Sequence, residues 1–214
     1  ENGEVMFKSP GNFTGYFKNE EATAETLVDG YVLSGDAGYI TRQGHLKIID
    51  RAKDVSKLTD GTLFAPKYIE NKLKFSPYIK ESVAHGMNRD FVAVFIDIDY
   101  GAVANWAERR HLGFTSYTDL AQKPEIYDLI NNEILRVNKS LSEDGQLQNS
   151  QIKCCLLLHK ELNPDDGEIT RTRKVRRRFI AEKYETLIEA LYGGEDNVDV
   201  EAKITYEDGR TATM

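Results

Sequence analysis

The chain has 214 residues, enough for one large domain or two small ones, and its 40% hydrophobic and 29% charged residues make an ordinary globular balance. A formal net charge of −7 argues against a general nucleic-acid binder, although it leaves room for a local basic patch. No apolar run approaches the roughly 20 residues of a membrane-spanning helix.

Residues 1–50 read as β structure. "GEVMFKS" predicts a short strand and "ATAETLV" a helical turn. "GYVLS" and "YITRQGHLKIID" predict two further strands, the second a hairpin turning at Gln43 and Gly44. The texture changes at residues 50–54, in "DRAKD". Beyond it, Pro66 opens a helix with Ile69 and Leu73 four residues apart. "SVAHG" and "FVAVFIDID" predict strands joined at "MNRD", and "YGAVANWAERRHL" an amphipathic helix. Pro124 opens a longer helix with Ile126, Leu129, Ile130, Ile134, Val137 and Leu141 on one face. "IKCCLLLHK" predicts a buried strand that carries both cysteines of the chain, Cys154 and Cys155. Two cysteines make no disulfide framework, so they read as small core fillers and the cytosol as the compartment. The four histidines show no metal-ligand spacing. A last helix is expected from about Lys174, with Val175, Phe179, Ile180, Leu187 and Leu191 inward. The acidic tail, residues 193–214, holds a strand candidate, "VDVEAKITY", and an Asp-Gly turn signal. This order predicts an α+β fold: a β-rich strip, then a small domain whose central sheet is covered by helices.

Three features do not read as core. In "SGD", Ser34 to Asp36, a carboxylate held by a glycine turn can accept hydrogen bonds from two neighbouring hydroxyls, as on a ribose, or be a plain turn aspartate. In "DRAKDVSKLTDG", Arg51 offers a planar charged fork for phosphate or ribose oxygens, and Gly61 permits close backbone approach by a ligand. A charged surface loop is the competing reading. In "TRTRKVRRR", six of the eight residues from Arg171 to Arg178 are basic. That pattern suits a nucleic-acid patch, a localisation signal, a solvated helix start, or a loop that aims Lys174 at a phosphoryl centre.

Taken in order, these segments resemble the C-terminal part of the AMP-forming acyl-CoA synthetases of the adenylate-forming superfamily. "GEVMFKSPGNFTGYFKNEEAT…DGYVLSGDAGYITRQGHLKIIDRAKD" is similar to that family's "GE…G…GY…T…DG…TGD…G…I..R.KD" signature, and "EITRTRKVRRR" to its "LTPT.K.KR" segment. The stretch "FAPKYIENKLKFSPYIKES" looks most like long-chain fatty acid CoA ligases.

The resemblance implies an enzyme that uses ATP, Mg2+ and CoA. A carboxylate attacks the α-phosphate to give acyl-AMP, and the CoA thiol then displaces AMP. It implies Lys174 as the catalytic cation, Asp36 on the ribose hydroxyls, Arg51 on the ribose and nearby phosphate, and Gly61 by the pantetheine path. Lys53 is implied as the hinge. Residues 1–50 would be the edge of a large domain and residues 51–192 a mobile small domain. Ser34 stands where the family usually has threonine, Asp60 precedes Gly61 where many relatives have paired glycines, and Arg173 precedes Lys174 where a small or apolar residue is common.

Neither a "TSGTTG.PK" phosphate loop nor a "YG.TE" segment is present. The expectation is therefore a C-terminal piece whose partner is a large N-terminal domain, with no metal ligand of its own. It would be cytoplasmic or peripheral to the inner face of a membrane. A fatty acyl-AMP ligase, an aryl-CoA ligase, and, from other classes, a basic-patch nucleic-acid module or a non-catalytic interaction domain are the competing readings. This chain alone is expected to catalyse no ATP–pyrophosphate isotope exchange, which a radiolabel assay checks.

Overall fold

The computed structural model describes residues 3–194, 203–205 and 211–213. The chain divides into two compact units, Glu1–Glu161 and Leu162–Met214. The expected α+β class is what is found.

The first unit begins with β1 (Glu4–Phe7), α1 (Glu20–Thr26), β2 (Leu27–Val28), β3 (Tyr31–Ile40) and β4 (Leu46–Arg51). Helix α1 starts where Asn19 accepts the Ala22 amide at 3.0 Å, with Glu20 and Glu21 in its first turn complementing the helix dipole. Strand β3 is the hub, pairing antiparallel with β1, β2 and β4. Sequence reasoning split this strand in two and placed "SGD" at a strand end. Instead β3 runs unbroken from Tyr31 to Ile40, and Ser34, Gly35 and Asp36 lie inside it. Gly35 has φ +72°, which a side chain would oppose, and the pairing with β4 shifts register between Ala37 and Gly38. The strand bends there without ending. The strip leaves Met6, Phe7, Phe17, Ile40, Leu46 and Ile48 exposed.

The hairpin β5 (Ser56–Lys57) and β6 (Leu63–Phe64) leads to α2 (Pro66–Leu73), β7 (Ile79–His85), β8 (Val92–Ile98), α3 (Tyr100–Glu108), α4 (Tyr117–Ala121), α5 (Pro124–Ser142) and β9 (Ile152–Leu157). Sheet order is β7-β8-β9, with β8 antiparallel to β7 and parallel to β9. Every residue of β8 is buried, as its continuous apolar run requires of a central strand. Its one charge, Asp97, accepts the Tyr117 hydroxyl at 3.1 Å. Burial, then the Asp97 charge, pushes the Tyr117 phenol up, so it stays a donor.

Ile69 and Leu73 of α2, Val103 of α3, and Ile126, Ile130, Ile134, Val137 and Leu141 of α5 join one core with β7 and β8. Pro66 and Pro124 sit at the helix starts, where a missing N–H costs nothing. Helix α4 was not anticipated; five residues carry no periodicity to read. Both cysteines are half-buried on β9, and burial, with Cys154 alongside, pushes the Cys155 thiol up to about 12. A thiol that stays protonated packs and does not attack.

The second unit carries α6 (Arg177–Lys183), α7 (Glu185–Gly193), β10 (Lys203–Thr205) and β11 (Thr211–Thr213). The helix expected from Lys174 starts at Arg177 and is broken at Tyr184, whose φ −110° and ψ 24° leave the helical region. Ile180, Leu187 and Leu191 are buried as expected, while Val175 and Phe179 are half-buried. In the tail, β10 and β11 pair antiparallel. The strand candidate's residues 198–202 and 206, and the Asp-Gly turn, lie outside the described residues.

One carboxylate joins the strip to the rest of the first unit. Asp144 follows α5 and its side chain is 1% exposed. Its Oδ2 accepts Lys47 Nζ of β4 at 2.6 Å and the Tyr68 hydroxyl of α2 at 3.0 Å. Its Oδ1 accepts the Tyr39 hydroxyl of β3 at 2.7 Å and the amides of Gln146 and Leu147 at 3.0 and 3.1 Å. Burial alone would raise the carboxyl. The Lys47 ammonium, the two amides and the Tyr39 hydroxyl outweigh burial and hold it well below the usual carboxylate range. Lys47 moves oppositely: burial would lower it, but Asp144 and the two tyrosines raise it above the ordinary ammonium value.

A carboxyl depressed in the folded state contributes stability that is present above its unfolded value, about 3.9, and is lost as pH falls below it. A raised ammonium contributes stability that is lost only in strong alkali, so neutral pH keeps both contributions. Asp144→Ala is expected to cost about 3 kcal/mol at pH 7, because it leaves Lys47 without its counter-charge. It should also flatten the acid limb of stability against pH below about 4. Urea unfolding followed by the fluorescence of Trp106 measures both.

Candidate functional site

Asp36 and Arg51 face each other across the β3–β4 pairing, and Arg51 Nη1 lies 3.0 Å from Asp36 Oδ1. The backbone sets this geometry. The Asp36 amide donates to Ser34 Oγ at 3.1 Å, the Gly35 amide to Glu4 Oε1 at 3.0 Å, and the Ala52 amide to the Gly35 carbonyl at 2.9 Å. The fold thus brings together two residues that the sequence offered separately. Arg51 is 61% exposed and Asp36 37%, so both can meet a ligand. The carboxylate keeps acceptor capacity beyond its bond to Arg51, and the guanidinium keeps donors.

Lys53 is exposed in the turn that leaves β4, where the Asp54 and Val55 amides return to the Arg51 carbonyl at 2.9 and 3.2 Å. Just before this turn, buried Asp50 does something the sequence did not suggest. Its Oδ2 accepts the Lys67 amide at 2.7 Å, at the start of α2, and its Oδ1 accepts the Arg51 amide at 2.7 Å. Helix α2 has no capping side chain at Ala65, so Asp50 supplies the cap from outside. The short segment around Lys53 is therefore spanned by a hydrogen bond from the strip to the first helix after it.

Gly61 stands in the turn between β5 and β6, with φ +85° and open space where a side chain would lie. Its amide donates to the Leu58 carbonyl at 3.0 Å, and Asp60 Oδ1 accepts the Thr62 amide at 2.8 Å. That amide, followed by the Thr62 side chain, holds the exposed Asp60 carboxyl below its ordinary value.

Lys174 belongs to the second unit and is exposed. It sits on a small hairpin, not on a helix. Ile169 bridges Val175, the Thr170 amide donates to the Lys174 carbonyl at 2.8 Å, and the Lys174 amide to Thr170 Oγ1 at 3.0 Å. Arg173 takes the left-handed φ of +58° to close the turn. The hairpin directs a cation outward from a short, cross-bonded arm. No group of three or more His, Cys, Asp or Glu among the described residues can hold a metal ion, and no helix among them is long and apolar enough to cross a membrane.

The profile of the AMP-binding enzyme C-terminal domain matches residues 53–196. The chain belongs to that family. It is 32% identical over 196 residues to a long-chain fatty acid CoA ligase of Mycobacterium tuberculosis, covering 91% of this chain and 32% of that protein. To human long-chain fatty acid CoA ligase 1 it is 34% identical over 194 residues, covering 89% of this chain and 27% of that one. The chain thus spans between about a quarter and a third of the length of the curated relatives it matches. The adenylation domain of a carboxylate reductase from Mycobacterium chelonae superposes with a TM-score of 0.63 at 24% identity, over 89% of this chain and 27% of that one. A second reductase structure, from Segniliparus rugosus in complex with AMP, gives 0.63 at 19% identity, over 89% of this chain and 25% of that one. At those identities the structural likeness speaks to the fold.

Proposed function

We propose that this chain is the C-terminal part of a long-chain fatty acid CoA ligase, working with a large domain to its N-terminal side. The observation that carries the reading is the Asp36–Arg51 pair: a carboxylate and a guanidinium 3.0 Å apart, both open to solvent, in a member of an AMP-binding family. In this reading Asp36 accepts the two ribose hydroxyls of ATP and Arg51 donates to the ribose and a phosphate oxygen. Gly61 lets the pantetheine arm of CoA pass close to the backbone. Magnesium would neutralise phosphate charge, and no residue of this chain is assigned to it.

The chemical difficulty of the first step is that a carboxylate approaches a polyphosphate. A cation placed between the two stabilises the charge that gathers in the transition state. Lys174, exposed on its cross-bonded hairpin, suits that role. The functional boundary falls at Asp50 and Arg51: residues 1–50 complete the large domain, and residues 51–192 swing between the two half-reactions with Lys53 as pivot. That movement breaks the bonds of Tyr39 and Lys47 to Asp144 and of Asp50 to the Lys67 amide in one of the two poses. The acid substrate is a long-chain fatty acid, by the company of the relatives, and the protein works in the cytoplasm or at the inner face of a membrane.

In the full-length ligase, Lys174→Ala should lower pyrophosphate exchange by about 10²-fold or more, while conversion of supplied acyl-AMP to acyl-CoA stays near the parent rate. Equal loss in both half-reactions overturns the role given to Lys174. Lys53→Pro fixes φ near −65° and should slow the alternation between the half-reactions. Pre-steady-state assays that leave both rates at parent values overturn the pivot.

A further inference from the structure

Glu168 is fully buried, in a segment whose sequence reads only as a polar turn. The main chain makes it the root of the Lys174 hairpin. Its amide donates to the Asn163 carbonyl at 3.2 Å, and its carbonyl accepts the Arg176 amide at 2.9 Å, so Glu168 and Arg176 close the base on which the arm stands. The carboxylate then fixes that base on two sides. Oε2 accepts the Asn163 amide at 2.9 Å, in the turn before the hairpin. Oε1 accepts the Tyr184 hydroxyl at 2.6 Å and Lys183 Nζ at 2.8 Å, at the junction of α6 and α7. Arg176 adds a bond from Nη1 to the Gly167 carbonyl at 3.0 Å and lies over the Phe179 ring at 5.1 Å.

The expense of burying this charge is offset only if all its partners hold their places together. A carboxylate tied at once to the turn before the arm and to the helix junction after it leaves the base one orientation. From that base, two cross-strand steps, Ile169 with Val175 and Thr170 with Lys174, lead to the exposed lysine. We infer that Glu168 is a positioning residue for Lys174: it touches no reacting atom and sets the direction in which the hairpin presents the cation. The inference rests on the reading of Lys174 as the adenylation cation. It explains why so polar a segment spends a buried charge here, since the α6–α7 pair already has Ile180, Leu187, Ile188 and Leu191 to hold it.

Two measurements test it. In this chain, Glu168→Gln keeps the size and removes the charge. Hydrogen exchange at the Thr170, Lys174 and Arg176 amides should rise by about tenfold or more, while the Ile188 amide inside α7 keeps its protection. In the full-length ligase the same variant should lower kcat of adenylation by about tenfold to 10²-fold, as expected for a misplaced catalytic group. KM for ATP and the conversion of supplied acyl-AMP to acyl-CoA should both stay near parent values. Tyr184→Phe, which removes one bond and keeps the charge, should give a smaller change of the same kind, and it decides the matter if Glu168→Gln does not fold. A purely structural role predicts that both half-reactions fall together, and that result overturns the inference. So does unchanged hairpin exchange beside a Lys174→Ala variant that has lost adenylation. If Lys174→Ala keeps adenylation, the reading of Lys174 itself fails, and the exchange experiment still tells whether Glu168 holds the arm.

Discussion

The buried Asp144 carboxylate organises the first unit. Two strands of the strip, one helix beyond it and the turn after α5 all deliver a donor to the same two oxygens. A carboxylate in an apolar surround is costly until its partners arrive, and then hard to displace. Because those donors come from both sides of the Lys53 turn, the pose of the strip against α2 and α5 is set by this cluster and by the Asp50 cap, and not by apolar packing alone. The strip contributes little to the core beyond Ala37 and Ile49, with Tyr39 at its margin. Polar fixation replaces the apolar burial that a thin sheet cannot provide.

The same device recurs in the second unit on a smaller scale. Glu168 gathers a backbone amide, a phenol and an ammonium, and the arm that stands on it carries an exposed lysine. In both units a sequestered anion ties down an element that carries exposed charged side chains. The Asp36–Arg51 pair differs from both: it is solvent-facing, and its bond is one that a ligand with hydroxyls and phosphate oxygens can compete for.

Much of the architecture was legible in the sequence. The helices opened by Pro66 and Pro124 and the continuous apolar run of β8 announce themselves through local rules of capping and periodicity. The order of motifs singled out Asp36, Arg51 and Lys174, of which the fold brings the first two together. Several misses arise where local rules were applied and the paired neighbours decide. Strand β3 was cut at "SGD" because a glycine normally ends a strand, whereas β1 and β4 hold the bent backbone extended on both sides. Lys174 was put at a helix start because the turn-rich "NPDDGE" precedes it, whereas Arg173 turns the chain back at φ +58° and Val175 pairs with Ile169. Asp144 and Glu168 look like ordinary turn acids. Nothing near Asp144 reveals that Lys47 and Tyr39 will reach it from 97 and 105 residues away.

Those separations bear on how the chain is made. A ribosome adding roughly 5–20 residues per second needs on the order of 5–20 s to travel from the strip to Asp144. Until then Tyr39 and Lys47 have no Asp144 carboxylate to meet. Closing so long a loop adds little entropy beyond that of a moderately long one, since each doubling costs only about 0.6 kcal/mol. The delay is thus kinetic and not thermodynamic. Residues 39–47 are therefore made well before the anion that anchors them, and their polar contacts with the turn after α5 form only once Asp144 has emerged.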